Sequence, residues 1–395
     1  MMTTSTPYRK LNVPMASLTI RKVETPQDFR AFFNFPWTLY RDDPHWVPPL
    51  RSMRMDVLDK KRGAAWEYIE GELFGAWRGE TLVGTIGAVI NHRYNEFHQE
   101  RIGWFGAFDC IDDEEVSGAL LATAGEWVRA QGYMVMRGPQ TFTPHEEVGC
   151  LVDGYNRPVL LMAYNPPYYP RLIEAAGLHK VMDIYSFYLD QGQAHANGLH
   201  ERLARIAASI MKRSKITIRP ADPKRMKHEF ALLKDIYNDA WEKNWGFTPL
   251  TARELDNLVE SLGLIVDPRL LYFASVEGEP AGFILAVPDI NIAMHKAYPR
   301  PGEPELWTLL KLLWHWRVRG VIDGVRVPLM GVREKFRGRG VDAVMYSSIL
   351  RAITDIGYYH SDSGWILETN EAMISIARNF GSQIYKTHRL YEKAL

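Results

Sequence analysis

The stretch "GVREKFRGRGVDAVMYSSIL", Gly331–Leu350, decides how this chain is read. Four cations, Arg333, Lys335, Arg337 and Arg339, crowd around two glycines, Gly338 and Gly340, and an apolar-periodic segment follows at once. A buried-looking strand pattern, VRVPLMGV (Val325–Val332), comes just before. A loop between a strand and a helix start gathers unpaired backbone N–H groups at the positive end of the helix dipole. Glycines let that backbone approach an anion closely, and flanking Arg and Lys add full charges. Phe336–Asp342 therefore reads as a cradle for a pyrophosphate. It is not a Walker A loop, because no Gly-Lys-Ser/Thr follows, and its glycines do not complete a dinucleotide fingerprint. Taken alone, Arg-Gly-Arg-Gly reads equally well as a solvated basic turn; the strand before it and the amphipathic helix after it favour the cradle.

Working outward, the chain repeats itself. "LTIRKVETPQDFRAFF" (Leu18–Phe33) matches "ITIRPADPKRMKHEF" (Ile216–Phe230), and "LFGAWRGETLVGTIGAVI" (Leu73–Ile90) matches "LYFASVEGEPAGFILAVP" (Leu271–Pro288). The first pair is a short β-branched strand, a turn and a helical pattern; the second is a hairpin around a Gly-containing turn. Both offsets are roughly 200 residues, far beyond solenoid periods, so two copies of one domain are expected. In the C-terminal copy the patterns predict helices over Met226–Lys243 and Ala252–Leu262 and hairpin strands over Leu271–Val276 and Ala281–Val287. A strand over Val325–Val332, a helix over Val341–Ile356, a strand over Trp365–Glu368, a helix over Glu371–Phe380 and a last strand over Ile384–Tyr391 follow. The expected class is α/β (α+β): two similar domains, each a mixed, mostly antiparallel central sheet flanked by helices. The expected division is 1–190, a linker helix over 191–214, and 215–395. The linker, "LHERLARIAASIMKRSK", reads as a connecting helix packed on one domain, or as a basic amphipathic helix lying on anionic lipid.

Composition narrows the function. The chain has 395 residues, 46% hydrophobic and 24% charged, and Lys+Arg and Asp+Glu both total 47. A zero net charge argues against nucleic acid as a partner, since phosphate binding normally leaves a basic excess. The basic cluster is local, so its ligand should be local too. Two cysteines, Cys110 and Cys150, make neither a disulfide framework nor a metal-binding cluster, and no metal is expected. The first residues are polar, without an apolar signal core, and no apolar run approaches bilayer-spanning length. A cytoplasmic protein is expected, with peripheral contact at the inner membrane surface left open.

The strand, Arg337-Gly338-Arg339-Gly340 and the helix together resemble the acyl-CoA pyrophosphate motif of the GNAT superfamily of N-acyltransferases. Arg337 and Gly340 fill the first and fourth places of the family pattern; Asp342 stands at the sixth, where the family has Gly or Ala, and can cap the helix. Downstream, "WILETNEAMISIARNFGSQIYK" resembles the strand and helix that follow in the family, with Asn370 near the coenzyme arm and Gly381 closing the helix. Ala377 occupies the place where the family often carries a tyrosine general acid. Thiolate is a good leaving group, so water or another group can protonate it. The segment "PPYYPRLIEAAGLHKVMDIYSF" resembles the family's last helix and strand in the first copy. The resemblance implies tandem GNAT-like domains with acyl-CoA as co-substrate. Gly331, Val332, Arg333, Lys335, Arg337, Gly338, Arg339, Gly340 and Asn370 are its expected contacts. The first copy lacks the cradle: its equivalent loop, "CIDDEEVSG", holds four consecutive carboxylates, Asp112–Glu115, which repel a pyrophosphate.

Amine acylation also needs a proton acceptor, and a strand N–H to polarise the thioester carbonyl, here expected from Leu329–Val332. The candidate bases are Glu242 in "NDAWEKNWGF", Asp289 in "VPDIN", and His145, Glu146 and Glu147 in "TPHEEVGCLVDG". Each also has a plain alternative: a solvated helix carboxylate, a loop cap, a polar surface loop. More narrowly, the chain resembles the bacterial ceramide synthase-like acyltransferases. The segments that carry this are "DPHWVPPLR" (Asp43–Arg51), "RGPQTFTPHEEVGCLVDGYNRP" (Arg137–Pro158), "YNPPYY" (Tyr164–Tyr169), "AWEKNWGFTPLT" (Ala240–Thr251) and "WILETNEAM" (Trp365–Met373). That resemblance implies transfer of a long-chain acyl group from acyl-CoA to the amine of a sphingoid base. An acetyl-CoA-dependent enzyme acting on small amines, and an acyl-CoA- or lipid-binding protein without turnover, fit the same residues.

Overall fold

A hairpin whose strands bury one face against helices needs alternating or continuous apolar strands, and the chain supplies them twice. In the computed structural model the described residues are 16–395 except 243, 252, 255, 257–262 and 264. The helix expected over Ala252–Leu262 falls largely outside them. In chain order the strands are β1 (Leu18–Lys22), β2 (Ile69–Arg78), β3 (Thr81–Asn91), β4 (Gly103–Cys110), β5 (Val135–Gly138), β6 (Cys150–Asp153), β7 (His179–Asp190), β8 (Ile216–Pro220), β9 (Leu271–Val276), β10 (Glu279–Pro288), β11 (Gly324–Val332), β12 (His360–Leu367) and β13 (Gln383–Ala394).

The described residues form two compact units. Unit 1 holds the chain up to Ile184, Ala293–Arg319 and Lys386–Leu395; unit 2 holds Tyr185–Ile292 and Gly320–Tyr385. The division at 190 and 214 drawn from the repeat stays a proposal about the two copies, since each unit also takes segments distant in sequence.

In unit 1, β1, β2, β3 and β4 pair antiparallel in sequence order, and β4 pairs parallel with β5. The C-terminal strand β13 adds to β5 and to β6, antiparallel to both. The Glu114–Ala130 helix covers this sheet. Val116, Leu120, Ala124 and Val128, spaced every fourth residue, point into a core with Ile86, Ala88 and Phe105. In unit 2 the same plan recurs: β8, β9, β10 and β11 pair antiparallel and β11 runs parallel to β12. The Val341–Ile356 helix plays the covering part, with Val341, Val344, Met345, Ile349 and Ile353 buried. The predicted bounds of β9 and of this helix hold to the residue.

The linker departs from one expectation. It forms two helices, Gln191–Ala196 and Leu199–Ser214, broken at Gly198, whose φ of 66° is left-handed. Leu199 and Ala207 are buried in the unit 2 core, and Leu203, Ile210 and Met211 pack against it. Of the apolar stripe that a lipid surface would need, only Ile206 stays exposed; the rest is used by packing. Two helices that the patterns did not predict, Asn291–Ala297 and Glu305–Leu313, lie between β10 and β11 in sequence.

Candidate active site

The cradle forms where β11 ends. Arg333 leads into a single turn, Glu334–Phe336, whose Phe336 ring is buried as an anchor. Gly338 and Gly340 then take left-handed φ values of 73° and 83°, and the helix begins at Val341. Gly340 is the N-cap, and no side chain bonds to the helix start. Asp342, expected as a possible cap, instead lies inside the first turn. No partner among the described residues accepts a hydrogen bond from the backbone N–H groups of residues 338–343. A helix start leaves its first N–H groups without intrahelical partners; six in a row, beginning at the exposed Gly338 and Arg339, make a site shaped for an anion. A Cβ on Gly340 would stand 2.8 Å from Ile210, so glycine is needed here for space as well as for φ.

The four cations divide by partner. Arg333 is drawn back to Asp235 and Asp239 of the Met226–Trp241 helix, the latter at 3.1 Å. Its guanidinium stays charged, held above its ordinary value by those carboxylates against the opposing effect of burial. Lys335 pairs with Glu279 at the surface, a contact worth little and easily released. Arg337 donates to two backbone carbonyls, Ala240 at 2.6 Å and Val332 at 3.3 Å, and so ties the loop to the Met226–Trp241 helix. Arg339 lies over the Phe336 ring at 5.7 Å with no carboxylate partner among the described residues. Gly331 has a packing reason of its own: a Cβ there would meet the Ala240 side chain at 2.9 Å. Val332 pairs with Gly282 of β10.

Beside the cradle the sheet opens. β11 and β12 pair only over Gly324–Val327 and His360–Ser363. Pro328–Val332 therefore has β10 on one side and no strand pairing to β12 on the other. Asn370 caps the Glu371–Asn379 helix through a bond from the Met373 N–H (3.2 Å), and Gly381 follows that helix with φ 79°. Ala377 is buried with Phe187 and Ile366, so its position faces an apolar cluster.

The equivalent place in unit 1 is built the opposite way. Asp113 caps the Glu114–Ala130 helix, accepting from the N–H groups of Glu115 (2.9 Å) and Val116 (3.3 Å). Arg78 binds Asp113 and Glu115, and Arg171 binds Asp112 and Glu114. The strand gap is closed as well. β4 and β5 pair over two residues, and the chain then folds back so that Gln140 N–H donates to Phe105 O at 2.8 Å. Only glycine fits opposite, because a Cβ on Gly106 would lie 2.0 Å from the Gln140 carbonyl.

The candidate bases are not alike. Glu242 is exposed at the end of the Met226–Trp241 helix. Asp289 is buried after β10 and accepts from the Asn291 N–H at 3.2 Å. His145 and Glu147 share a loop of unit 1. Glu147 keeps an exposed surface; desolvation by the surrounding protein and the charge of Asp109 push its carboxyl up to about 7, against the pull of Arg54. Asp109 is likewise raised by burial; Tyr40 (2.7 Å) and Tyr169 (3.4 Å) donate to it.

Sequence patterns missed this Arg54–Asp109–Glu147 group, because its members come from three distant segments. They also missed a buried set in unit 2. Arg326 and Asp362, each almost fully buried, pair at 3.2 Å, and Tyr385 donates to Asp362 at 2.9 Å. Arg326 was detectable: a cation inside the apolar strand GVRVPLMGV must find a buried partner.

Two copies of a strand–helix–hairpin plan, one of which ends its fourth strand in an uncapped, glycine-bounded helix start beside an opened parallel pair, define an acyltransferase of the GNAT class. The solved tandem GNAT protein from the clavulanic acid biosynthesis pathway shares this architecture: TM-score 0.54, 11% identity, 96% of this chain and 98% of that one covered. No family model matches the chain. Curated relatives do: a bacterial ceramide synthase of Caulobacter vibrioides is 36% identical over 389 residues, covering 96% of this chain and 98% of the relative. Protein YghO of Escherichia coli is 32% identical, with 95% of both chains covered. The chain belongs to the family of the bacterial ceramide synthase, and it is an acyl-transferring enzyme, an N-acyltransferase.

Proposed function

We propose that this enzyme transfers a long-chain acyl group from acyl-CoA to the amine of a sphingoid base. The observation that carries the acyl-CoA half is the run of unpartnered N–H groups at residues 338–343, set against the self-capped, carboxylate-filled equivalent in unit 1. A pyrophosphate held there would take charge from the helix start and from Arg339, with Arg337 keeping the loop in place. Lys335 adds charge once released from Glu279, while Arg333 positions the loop through Asp235 and Asp239. The unpaired edge of β11, Pro328–Val332, offers N–H groups to an extended thioester arm and to the carbonyl oxygen on which charge develops. Asn370 borders the same arm.

The acceptor must arrive as a neutral amine. Glu242 is the candidate base that shares unit 2 with the cradle and follows the Met226–Trp241 helix to which Arg337 ties the loop. The amine nitrogen attacks the thioester carbon, the C–N bond forms, the C–S bond breaks, and the amine proton passes to Glu242. With Ala377 packed among apolar side chains, the CoA thiolate leaves to solvent. The sphingoid acceptor and the long chain rest on the relative named a ceramide synthase.

The test is an acylation assay. Purified protein receives sphinganine or its 3-oxo form with acetyl-, palmitoyl- and longer acyl-CoAs in competition, and N-acylated products are read by mass spectrometry. A long-chain amide is expected. Acetylated small amines with no lipid amide would overturn the acceptor, and CoA binding without any turnover would overturn catalysis.

A further inference from the structure

Soluble helices turn their apolar side inward. The Glu305–Leu313 helix and the wide π-type turn that continues it through Val318 do the reverse. Thr308 and Leu312 are the side chains it buries in unit 1. Leu306, Trp307, Leu309, Leu310, Leu313 and Trp314 are exposed, from 37% at Leu309 to 66% at Leu306. At 3.6 residues per turn these six fill an arc of about 160° with no charged residue of positions 305–314 inside it. The helix is held firmly in that pose. Ser52 donates from its N–H (2.8 Å) and its hydroxyl to Glu305, and the segment before it is tied down by Trp37 Nε1, which donates to Pro299 O at 2.7 Å.

Charge says what covers this face. Lys311 borders the arc, and Arg317 and Arg319 follow it, Arg317 stacked over Trp316 at 3.9 Å. The nearby carboxylates are engaged, Glu303 by Lys311 (3.1 Å) and Glu305 by Ser52. A second copy docking through the same face would bring these cations together with no free carboxylate of the helix to meet them. An anionic lipid surface meets them with phosphates, and offers Trp307 and Trp314 the headgroup level where indoles favour residence.

We propose that Glu305–Arg319 is a docking helix that seats this enzyme on an anionic phospholipid surface. Leucines and tryptophans of its outer face enter the headgroup–acyl boundary, and Arg317 and Arg319 bind phosphates, joined by Lys311 where it leaves Glu303. This differs from the lipid role considered for Leu199–Ser214, whose apolar residues are packed away except for Ile206, and it does not depend on which amine is acylated.

The full chain is sedimented with vesicles of phosphatidylcholine alone and of phosphatidylcholine mixed with phosphatidylglycerol. Binding to the anionic vesicles that weakens with salt is expected. The double variant Leu310→Glu/Trp314→Glu, changing only exposed side chains, should lose at least about tenfold in vesicle affinity while keeping its circular dichroism and CoA binding. Arg317→Gln/Arg319→Gln should reduce binding to the anionic vesicles more than to the neutral ones. Failure of the wild type to sediment with anionic vesicles at low salt would overturn the proposal. So would unchanged binding by the Glu variant, or a dimer that this variant disperses while vesicle binding stays the same. Acyl transfer to a soluble short-chain amine, measured without vesicles, reports the active site separately.

Discussion

The cradle can be tested by giving it back the carboxylate that unit 1 carries. Gly338 is the place, because a Cβ there meets nothing within 4 Å. Its φ of 73° is left-handed, a conformation that Asn and Asp visit at a cost of about 1–2 kcal/mol. Gly338→Asn and Gly338→Asp therefore share strain and shape and differ by one charge. Two unit charges about 4 Å apart repel by about 4 kcal/mol at an effective dielectric of 20. An exposed loop at physiological salt retains roughly half of that, about 2 kcal/mol. The Asp variant should bind CoA about 30-fold more weakly than the Asn variant. Isothermal titration with CoA at low and high salt measures this, and the gap should shrink as salt rises. Equal affinities for the two variants at low salt would refute an anion site at residues 338–343, whatever either does relative to the wild type.

Three further tests follow from named side chains. Glu147→Gln should raise stability relative to wild type at neutral and alkaline pH. Because the folded carboxyl sits above its ordinary value, its ionisation costs stability as pH rises from the usual carboxylate range through 7. Thermal melting at acidic and alkaline pH should show wild type losing ground to the Gln variant, and parallel melts would argue against a crowded carboxyl. Asp362→Ala strands the buried Arg326 guanidinium and should cost about 3–5 kcal/mol in urea unfolding; a cost under about 1 kcal/mol would mean that Arg326 has another adequate partner. Arg333→Gln should remove about 1 kcal/mol of stability with CoA affinity nearly unchanged. Arg339→Gln should do the reverse, and CoA titration of both variants checks the division of labour.

What was legible in the sequence follows from the range of the interactions involved. The hairpins β2–β3 and β9–β10 and the helix Val341–Ile356 are set by neighbours in the chain, through strand alternation and helical periodicity. The glycines, cations and helix start of the cradle are contiguous, so their chemistry shows in a dozen letters. Partnership does not show there. Arg333 and Arg339 look alike in the motif, yet Arg333 folds back onto Asp235 and Asp239. The Glu305–Leu313 helix is apolar enough to pass for core, and only its exposure reveals an outward face.

By itself the sequence determined the repeat, the mixed sheet with covering helices, and the contrast between a basic glycine turn in one copy and four carboxylates in the other. These are local patterns and local charges, and each acts within a few residues of where it is written. Only the tertiary structure decided which residues share an environment. It brought Arg54, Asp109 and Glu147 within reach of one another's charges, opened β11 from β12 after Val327, and packed most of the linker's apolar stripe while leaving another helix uncovered. Those outcomes depend on burial and on pairing between distant segments, and both come into being only when the chain closes on itself.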